Sequence, residues 1–425
     1  MIILLLVAGL LLAGCKKSGD KPNTAPAPAP SEPAKTAPPK EEPKKEEQGV
    51  IKIGAAISFT GPLSRNAAFM KQGYDLWVED VNARGGIDVG GKKYKVELKL
   101  YDDKSDAPTA ANLVEKLITE DKVNFILGPY GSGITTAVSA ISEKYKVLML
   151  APIANADPVY ARGFKYLFGM LPPISRGTAV HVDLMKSLNP TPKTLAILTP
   201  DDMFPLIAAE GVKKKAEANG IQVVYFQKYP KDTQDLSTIL TEMKRLQPDA
   251  VMTTGYFQDA FLTIKQMRDL RVNVKYMGAL DAPFQEDFRK ALGKDAEYVF
   301  AEAEWVPSAG WKGPVFGSSQ DYNAKFKARY GADANYYSAA PSAAGIVLEA
   351  AIQKAGSLDN DKVREAILSL DMETFYGPIK YDVTGWNNTS TALIVQIQDG
   401  NLVTVYPSKL KQAEPRYPMP GWQSR

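Results

Sequence analysis

The chain has 425 residues, enough for two domains and a large core, and its 51 Lys and Arg against 48 Asp and Glu leave a formal charge of only +3. So small a balance gives no electrostatic footprint for nucleic acid. One cysteine excludes a disulfide framework, and one histidine excludes HExxH and multi-histidine metal sites.

Ile2 to Ala13 is an apolar run of signal-peptide length, well short of the roughly 20 residues a helix needs to span a bilayer. It closes on Leu12-Ala13-Gly14-Cys15. Small residues before a cysteine suit a peptidase that binds extended backbone close to its catalytic groups. The tetrapeptide resembles a lipobox. That resemblance implies removal of residues 1–14, acylation of Cys15 and attachment to a bacterial membrane, on its periplasmic side in a Gram-negative cell. Met1-Ile2-Ile3 carries no Lys or Arg, which fits a start upstream of Met1. Lys16 to Gln48 is almost entirely Pro, Ala, Lys and Glu. Such a segment cannot bury enough apolar surface to offset the entropy of ordering, so residues 15–49 are expected to form a disordered linker. At roughly 3.1 Å per residue it could reach on the order of 100 Å.

From Val50 onward, strand and helix patterns alternate. Val50 to Ile57 reads as a buried strand, and Tyr74, Trp77, Val78 and Val81 form the stripe of a helix packed on a sheet. Tyr94 to Tyr101 alternates as a strand. Ala110, Leu113, Val114 and Leu117 make a second helical stripe before the strand Phe125 to Leu127. A helix over Ser132 to Tyr145 leads into the strand Val147 to Leu150. The pattern restarts with strands at Leu195 to Leu198, Ile221 to Phe226 and Ala250 to Thr254. Between them lie helices over Leu206 to Ala218 and Leu236 to Leu246, the second striped by Leu236, Ile239, Leu240, Met243 and Leu246. Helices over Tyr322 to Tyr330 and Ala343 to Ala355, then strands Ala392 to Gln398 and Leu402 to Tyr406, complete the chain. This predicts two consecutive α/β domains with mostly parallel sheets.

In such domains a ligand sits at the carboxyl ends of parallel strands, near helix N-termini. Gly128-Pro129-Tyr130-Gly131-Ser132-Gly133 is one such turn, with Ser132 expected as an N-cap whose hydroxyl faces the cleft. Ala151-Pro152-Ile153-Ala154-Asn155 is another. Together they could hold a carboxylate with uncharged donors, although both also read as ordinary strand-to-helix connections. The dinucleotide fingerprint and the G-x-x-x-x-G-K-[ST] loop are absent. Catalysis has little support. His181 falls in a helical pattern with Val180, Leu184 and Leu188, and no G-x-S-x-G elbow occurs. The adjacent carboxylates Asp102-Asp103 and Asp201-Asp202 point to opposite faces of a strand, which makes poor acid–base couples.

Several short segments in fixed order carry a wider resemblance: Gly61-Pro62-Leu63-Ser64, Val81-Asn82-Ala83-Arg84-Gly85-Gly86-Ile87, Tyr101-Asp102-Asp103, Ile126-Leu127-Gly128-Pro129, Pro248-Asp249-Ala250 and Tyr376-Gly377-Pro378-Ile379. They resemble the Leu/Ile/Val-binding group of type I periplasmic solute-binding proteins, which serve ATP-driven (ABC) importers. The resemblance implies two Rossmann-like lobes joined by a three-segment hinge, with residues 50–172 and 303–391 in one lobe and 173–302 and 392–425 in the other. The crossings are expected near Leu171 to Ile174, Ala301 to Trp305 and Thr391 to Leu393.

Carried over by position, the resemblance assigns a ligand carboxylate to Ser132 and Asn155, where the family usually has Ser or Thr at the second place. It assigns the ligand ammonium to the carbonyl of Ile153 and to an acid near Gly278-Ala279-Leu280-Asp281. Register puts Leu280 at that place, so the expectation is that Asp281 faces the cleft. The competing arrangement has Leu280 lining it and Asp281 capping the helix near Pro283. Tyr256, Asn66, Phe204 and Tyr337 would wall the pocket. Phe204-Pro205 replaces the family's Tyr-Gly, which implies a drier site. The implied function is capture of a branched-chain or other apolar amino acid for an ABC permease and ATPase. The alternatives are a sensory lipoprotein and a binder of amine-free aliphatic or aromatic carboxylates. No enzyme activity, cofactor, metal or nucleic-acid partner is expected. Membrane contact would be through the N-terminal lipid only, and the protein would be a monomer.

Overall fold

The structure, a computed structural model, describes residues 49–280, 282–389 and 392–425. The expected signal peptide, lipidated Cys15 and linker lie outside the described residues, as does Asp281.

The first sheet holds β1 (Gly49–Ile57), β2 (Ile87–Val89), β3 (Lys92–Asp102), β4 (Phe125–Leu127), β5 (Met149–Ala151) and β6 (Leu167–Gly169), in the order β2-β3-β1-β4-β5-β6. Every pairing is parallel except the short β2–β3 hairpin. The helices α1 (Ser64–Ala83), α2 (Ala107–Thr119) and α3 (Ser132–Tyr145) make its crossovers. Tyr74, Trp77 and Val81 of α1 are fully buried, as their spacing predicts. The expected strand Val147 to Leu150 pairs as Met149–Ala151, because α3 ends on a left-handed Lys146 and the chain needs two more residues to return.

A short helix, α4 (Asp157–Tyr160), connects β5 to β6, and α5 (Ile174–Gly177) and α6 (Val180–Ser187) then lead to the second sheet. It contains β7 (Thr194–Pro200), β8 (Gln222–Tyr229), β9 (Ala250–Thr253), β10 (Tyr276–Ala279) and β11 (Phe300–Ala303), connected through α7 (Met203–Ala218), α8 (Ser237–Leu246), α9 (Phe257–Asp269) and α10 (Glu286–Leu292). These five strands are parallel in the order β11-β10-β9-β7-β8. Leu236, Leu240 and Met243 are buried as predicted, whereas Leu246 is 47% exposed. It is the last residue of α8, and the left-handed Gln247 turns the chain away before the stripe can reach the core.

Beyond β11 the chain returns to the first lobe. A small pair, β12 (Lys312–Gly313) and β13 (Gly317–Ser318), precedes α11 (Ser319–Tyr330), α12 (Tyr336–Ala355) and α13 (Asn360–Leu368). Helix α12 is buried along most of its length and packs on α1. The hairpin of β14 (Met372–Thr374) and β15 (Gly377–Ile379) follows. Finally β16 (Leu393–Gln398) adds antiparallel to β11, and β17 (Asn401–Tyr406) pairs with β16, extending the second sheet to seven strands. Trp305, two residues past β11, is anchored in the first lobe: its Nε1 donates to the Phe375 carbonyl at 3.0 Å and its ring meets Tyr322 and Phe375 edge-on. The stretch Ala303 to Trp305 therefore runs from the second sheet into the packing of Tyr322 and Phe375. Among the described residues no helix is long and apolar enough to cross a membrane.

Candidate functional site

Strand order fixes where the cleft lies. In the first sheet β1 feeds β3 on one side while β4 opens the other side. In the second, β7 stands between β8 and β9 in the same way. At such switch points the loops leaving adjacent strands diverge, and a crevice opens at the strand carboxyl ends. The turn after β4 carries Tyr130 to Ser132, that after β5 carries Ile153 to Asn155, that after β7 leads to Phe204, and that after β9 reaches Tyr256. All of these residues line one cavity.

Seven of the expected site residues meet there or bear on it differently than expected. Ser132, Ile153, Asn155, Phe204, Tyr256 and Tyr337 line the cavity. Ser132 is not the N-cap: Gly131 takes that place with φ +90°, a conformation that favours glycine, and Ser132 is the first helical residue. Its buried Oγ accepts the Ala156 N–H at 3.1 Å and so ties the two turns together. The hydroxyl proton remains to be donated into the cavity. Asn155 is held by its Nδ2, which donates to the Pro172 carbonyl at 2.8 Å. Asn66 does not line the cavity. It lies one layer back, where its Nδ2 donates to Tyr130 Oη at 2.8 Å, so the wall expected from Asn66 is supplied by Tyr130. Leu280 does line the cavity.

The walls are aromatic. Phe204 stacks on Tyr256 with centroids 5.9 Å apart, and the Tyr256 hydroxyl donates to Asp202 at 3.3 Å. Tyr130 meets Tyr337 edge-on at 5.6 Å, and Tyr337 packs against Tyr336 at 4.1 Å. The two sides are also bonded across the cleft. Gln285, just before α10, donates from Nε2 to Asn66 Oδ1 at 3.0 Å. Arg65 of α1 donates to Gln285 and Asp287 and lies over the Phe257 ring at 4.1 Å. The lobes are closed on each other at this edge.

Sequence reasoning missed Glu302 and Glu304. Both line the cavity, and both are buried, at 5% and 7% exposure. Alternation places them: in Ala301-Glu302-Ala303-Glu304-Trp305 the odd positions enter the first lobe's core and the two carboxyls share the other face. That small–acid alternation was the available signal. Burial, and then the neighbouring Glu302 carboxyl, hold the Glu304 carboxyl well above the usual carboxylate range. Arg176 of α5 pulls weakly the other way.

His181 is a buried core residue. Its Nδ1 lies 2.6 Å from Tyr276 Oη, and burial pushes its pKa down to about 3, so the ring is neutral. Asp102 and Asp103 turn onto the backbone and hydroxyls of the loop after β1.

Two α/β lobes, crossed by the chain and closed over an aromatic cavity at their switch points, define a hinged binding protein. Residues 50–401 match the family described as periplasmic binding protein, and the chain belongs to that family. Leu/Ile/Val-binding protein homolog 8 of Brucella abortus is 28% identical over 381 residues, covering 86% of this chain and 93% of that protein. Among solved structures, the leucine binding protein LivK of Thermotoga maritima superposes with a TM-score of 0.75 at 23% identity, covering 83% of this chain and 97% of its own. LivJ of Streptococcus pneumoniae in complex with isoleucine gives 0.72 at 22%, with 87% and 100% covered. A solute binding protein of an ABC transporter from R. palustris in complex with benzoate gives 0.72 at 20%, with 84% and 96% covered. These likenesses show the type I fold.

Proposed function

We propose that this protein is an extracytoplasmic solute-binding protein that captures a small carboxylate-bearing ligand, a branched-chain or other apolar amino acid, and delivers it to an ABC importer. The single observation that carries the reading is one cavity built by both switch points, with hydroxyl and amide donors on one side and aromatic rings on the other. On this reading the ligand carboxylate meets Ser132 and Asn155, and the ammonium meets the Ile153 carbonyl. Phe204, Tyr256 and Tyr337 close on the side chain. Asp281 keeps its candidacy as a counter-ion through the variant Asp281→Asn. The lobes divide at residues 172/173, 302/303 and 391/392. The protein acts as a monomer that binds without turnover, and Cys15 carries the lipid that tethers it. A second reading, capture of an amine-free acid, draws support from Leu280 in the lining and from the benzoate complex of the R. palustris relative.

The test is calorimetry of the full-length protein with leucine, isoleucine, 4-methylpentanoate and benzoate, with the recovered ligand checked for chemical change. Tighter binding of the amine-free acids replaces the first reading by the second. Turnover of any ligand sinks both.

A further inference from the structure

The cavity encloses buried carboxyls. Among its described lining residues the ionisable carboxyls are Glu302 and Glu304, and there is no Lys, Arg or His. The Glu304 side chain is only 7% exposed, and among the described residues its oxygens meet no hydrogen-bonding group other than the neighbouring Glu302 carboxyl. A buried carboxylate left this way loses its hydration without replacement. Its neighbour Glu302 cannot help while both are ionised, because two carboxylates only accept and must share a proton to bond. A separate observation points to the same place. Tyr376 Oη, in the turn of the β14–β15 hairpin, is 4% exposed and has no hydrogen-bond partner among the described residues. It lines a second small cavity, and Glu304 lines both. The rings of Tyr130, Tyr336 and Tyr337 add negative faces to the same enclosure.

Resting on the reading of this cavity as a ligand pocket, we propose that Glu302 and Glu304 form its cation subsite, the counter-charge for an ammonium or guanidinium nitrogen of the ligand. The ligand class is therefore zwitterionic or cationic, and amine-free carboxylates are selected against. Without such a ligand the pair shares a proton, and a cationic nitrogen displaces it. Among the described residues, Arg176 of α5, Tyr376 of the hairpin and the tyrosines of the cavity wall face the pair. Arg176 attracts Glu304 but does not form an ion pair with it within 4 Å among the described residues.

The experiment is calorimetry of the full-length protein with leucine, lysine, 4-methylpentanoate and benzoate, on wild type, Glu302→Gln, Glu304→Gln and Asp281→Asn. The expected result is that wild type binds leucine or lysine more tightly than either amine-free acid. Each Glu→Gln change should then weaken the amine-bearing probe by roughly ten- to a hundred-fold, as for a lost charged hydrogen bond. Unchanged affinity in both Gln variants, or loss confined to Asp281→Asn, overturns the subsite. Wild type that prefers the amine-free acids also overturns it while leaving the solute-binding reading intact. Wild type that binds none of the four removes both. Repeating the wild-type titration at pH 7 in buffers of different ionisation enthalpy needs no variant to fold. About one proton released on binding leucine or lysine supports the exchange, and none released overturns it.

Discussion

Gln285 and Asn66 stand on opposite lobes and 219 positions apart, yet Gln285 Nε2 donates to Asn66 Oδ1 at 3.0 Å with both side chains buried. Asn66 passes the contact on, since its own amide donates to Tyr130 Oη in the cavity wall. Closure and pocket shape are thus joined through one asparagine.

Asn66→Ala should weaken both connections. A neutral hydrogen bond contributes about 0.5–1.5 kcal/mol, so ligand affinity should fall roughly three- to ten-fold. Small-angle scattering should show a more open ligand-free form than wild type. An unchanged radius of gyration and affinity would leave the contact without a role in closure.

Ser132→Ala should lower both affinity and stability. From the sequence, only a ligand bond was expected of Ser132, with the ligand-free melt unaffected. Because Oγ also accepts the Ala156 N–H, the alanine leaves that buried donor unpaired at a cost of about 1–3 kcal/mol. Denaturant melts of the ligand-free protein measure this directly, and Ser132→Thr should recover part of it.

The pH dependence of stability should have two opposed contributions. Glu304 is raised in the folded state, so above its ordinary value of 4.5 the native protein holds a proton that the unfolded chain has lost. Stability from this group therefore falls as pH rises from there toward the folded value. His181 is depressed to about 3 from 6.5, so the unfolded chain binds the extra proton and stability falls as pH drops through that window. Urea midpoints of ligand-free wild type and Glu304→Gln between pH 5 and 8 test the first sign: the variant should lose less stability on going alkaline.

Cys15→Ser should prevent acylation and either release the protein from membranes after export or leave its precursor uncut. Fractionation of cells expressing the variant decides it. Normal processing with continued membrane attachment would end the lipid-anchor reading.

The lobes were readable because strand and helix periodicities are strong where one face is buried, as in Tyr74-Trp77-Val81 of α1. Some boundaries shifted: the strand expected from Val147 starts at Met149, beyond the left-handed Lys146, and the helix expected from Ala343 starts at Tyr336, where Asn335 caps it. Ser132, Asn155, Phe204 and Tyr256 were placed because they follow strand ends, which topology sends to the cleft. Asn66 was misplaced because it sits one residue layer behind Tyr130, and no periodicity separates a wall from its support. Glu302 and Glu304 were overlooked for a different reason. Their strand looked like a mere crossing, and two acids alternating with alanine read as solvated until the opposite lobe buries them.

Trp305 follows Glu304 directly and is almost fully buried, with its indole N–H fixed on the Phe375 carbonyl. The molecule therefore carries an optical reporter one residue from the pocket charges. A change of charge or of lobe angle at Glu304 alters the field and packing around that indole, so ultraviolet emission can follow occupancy without a dye.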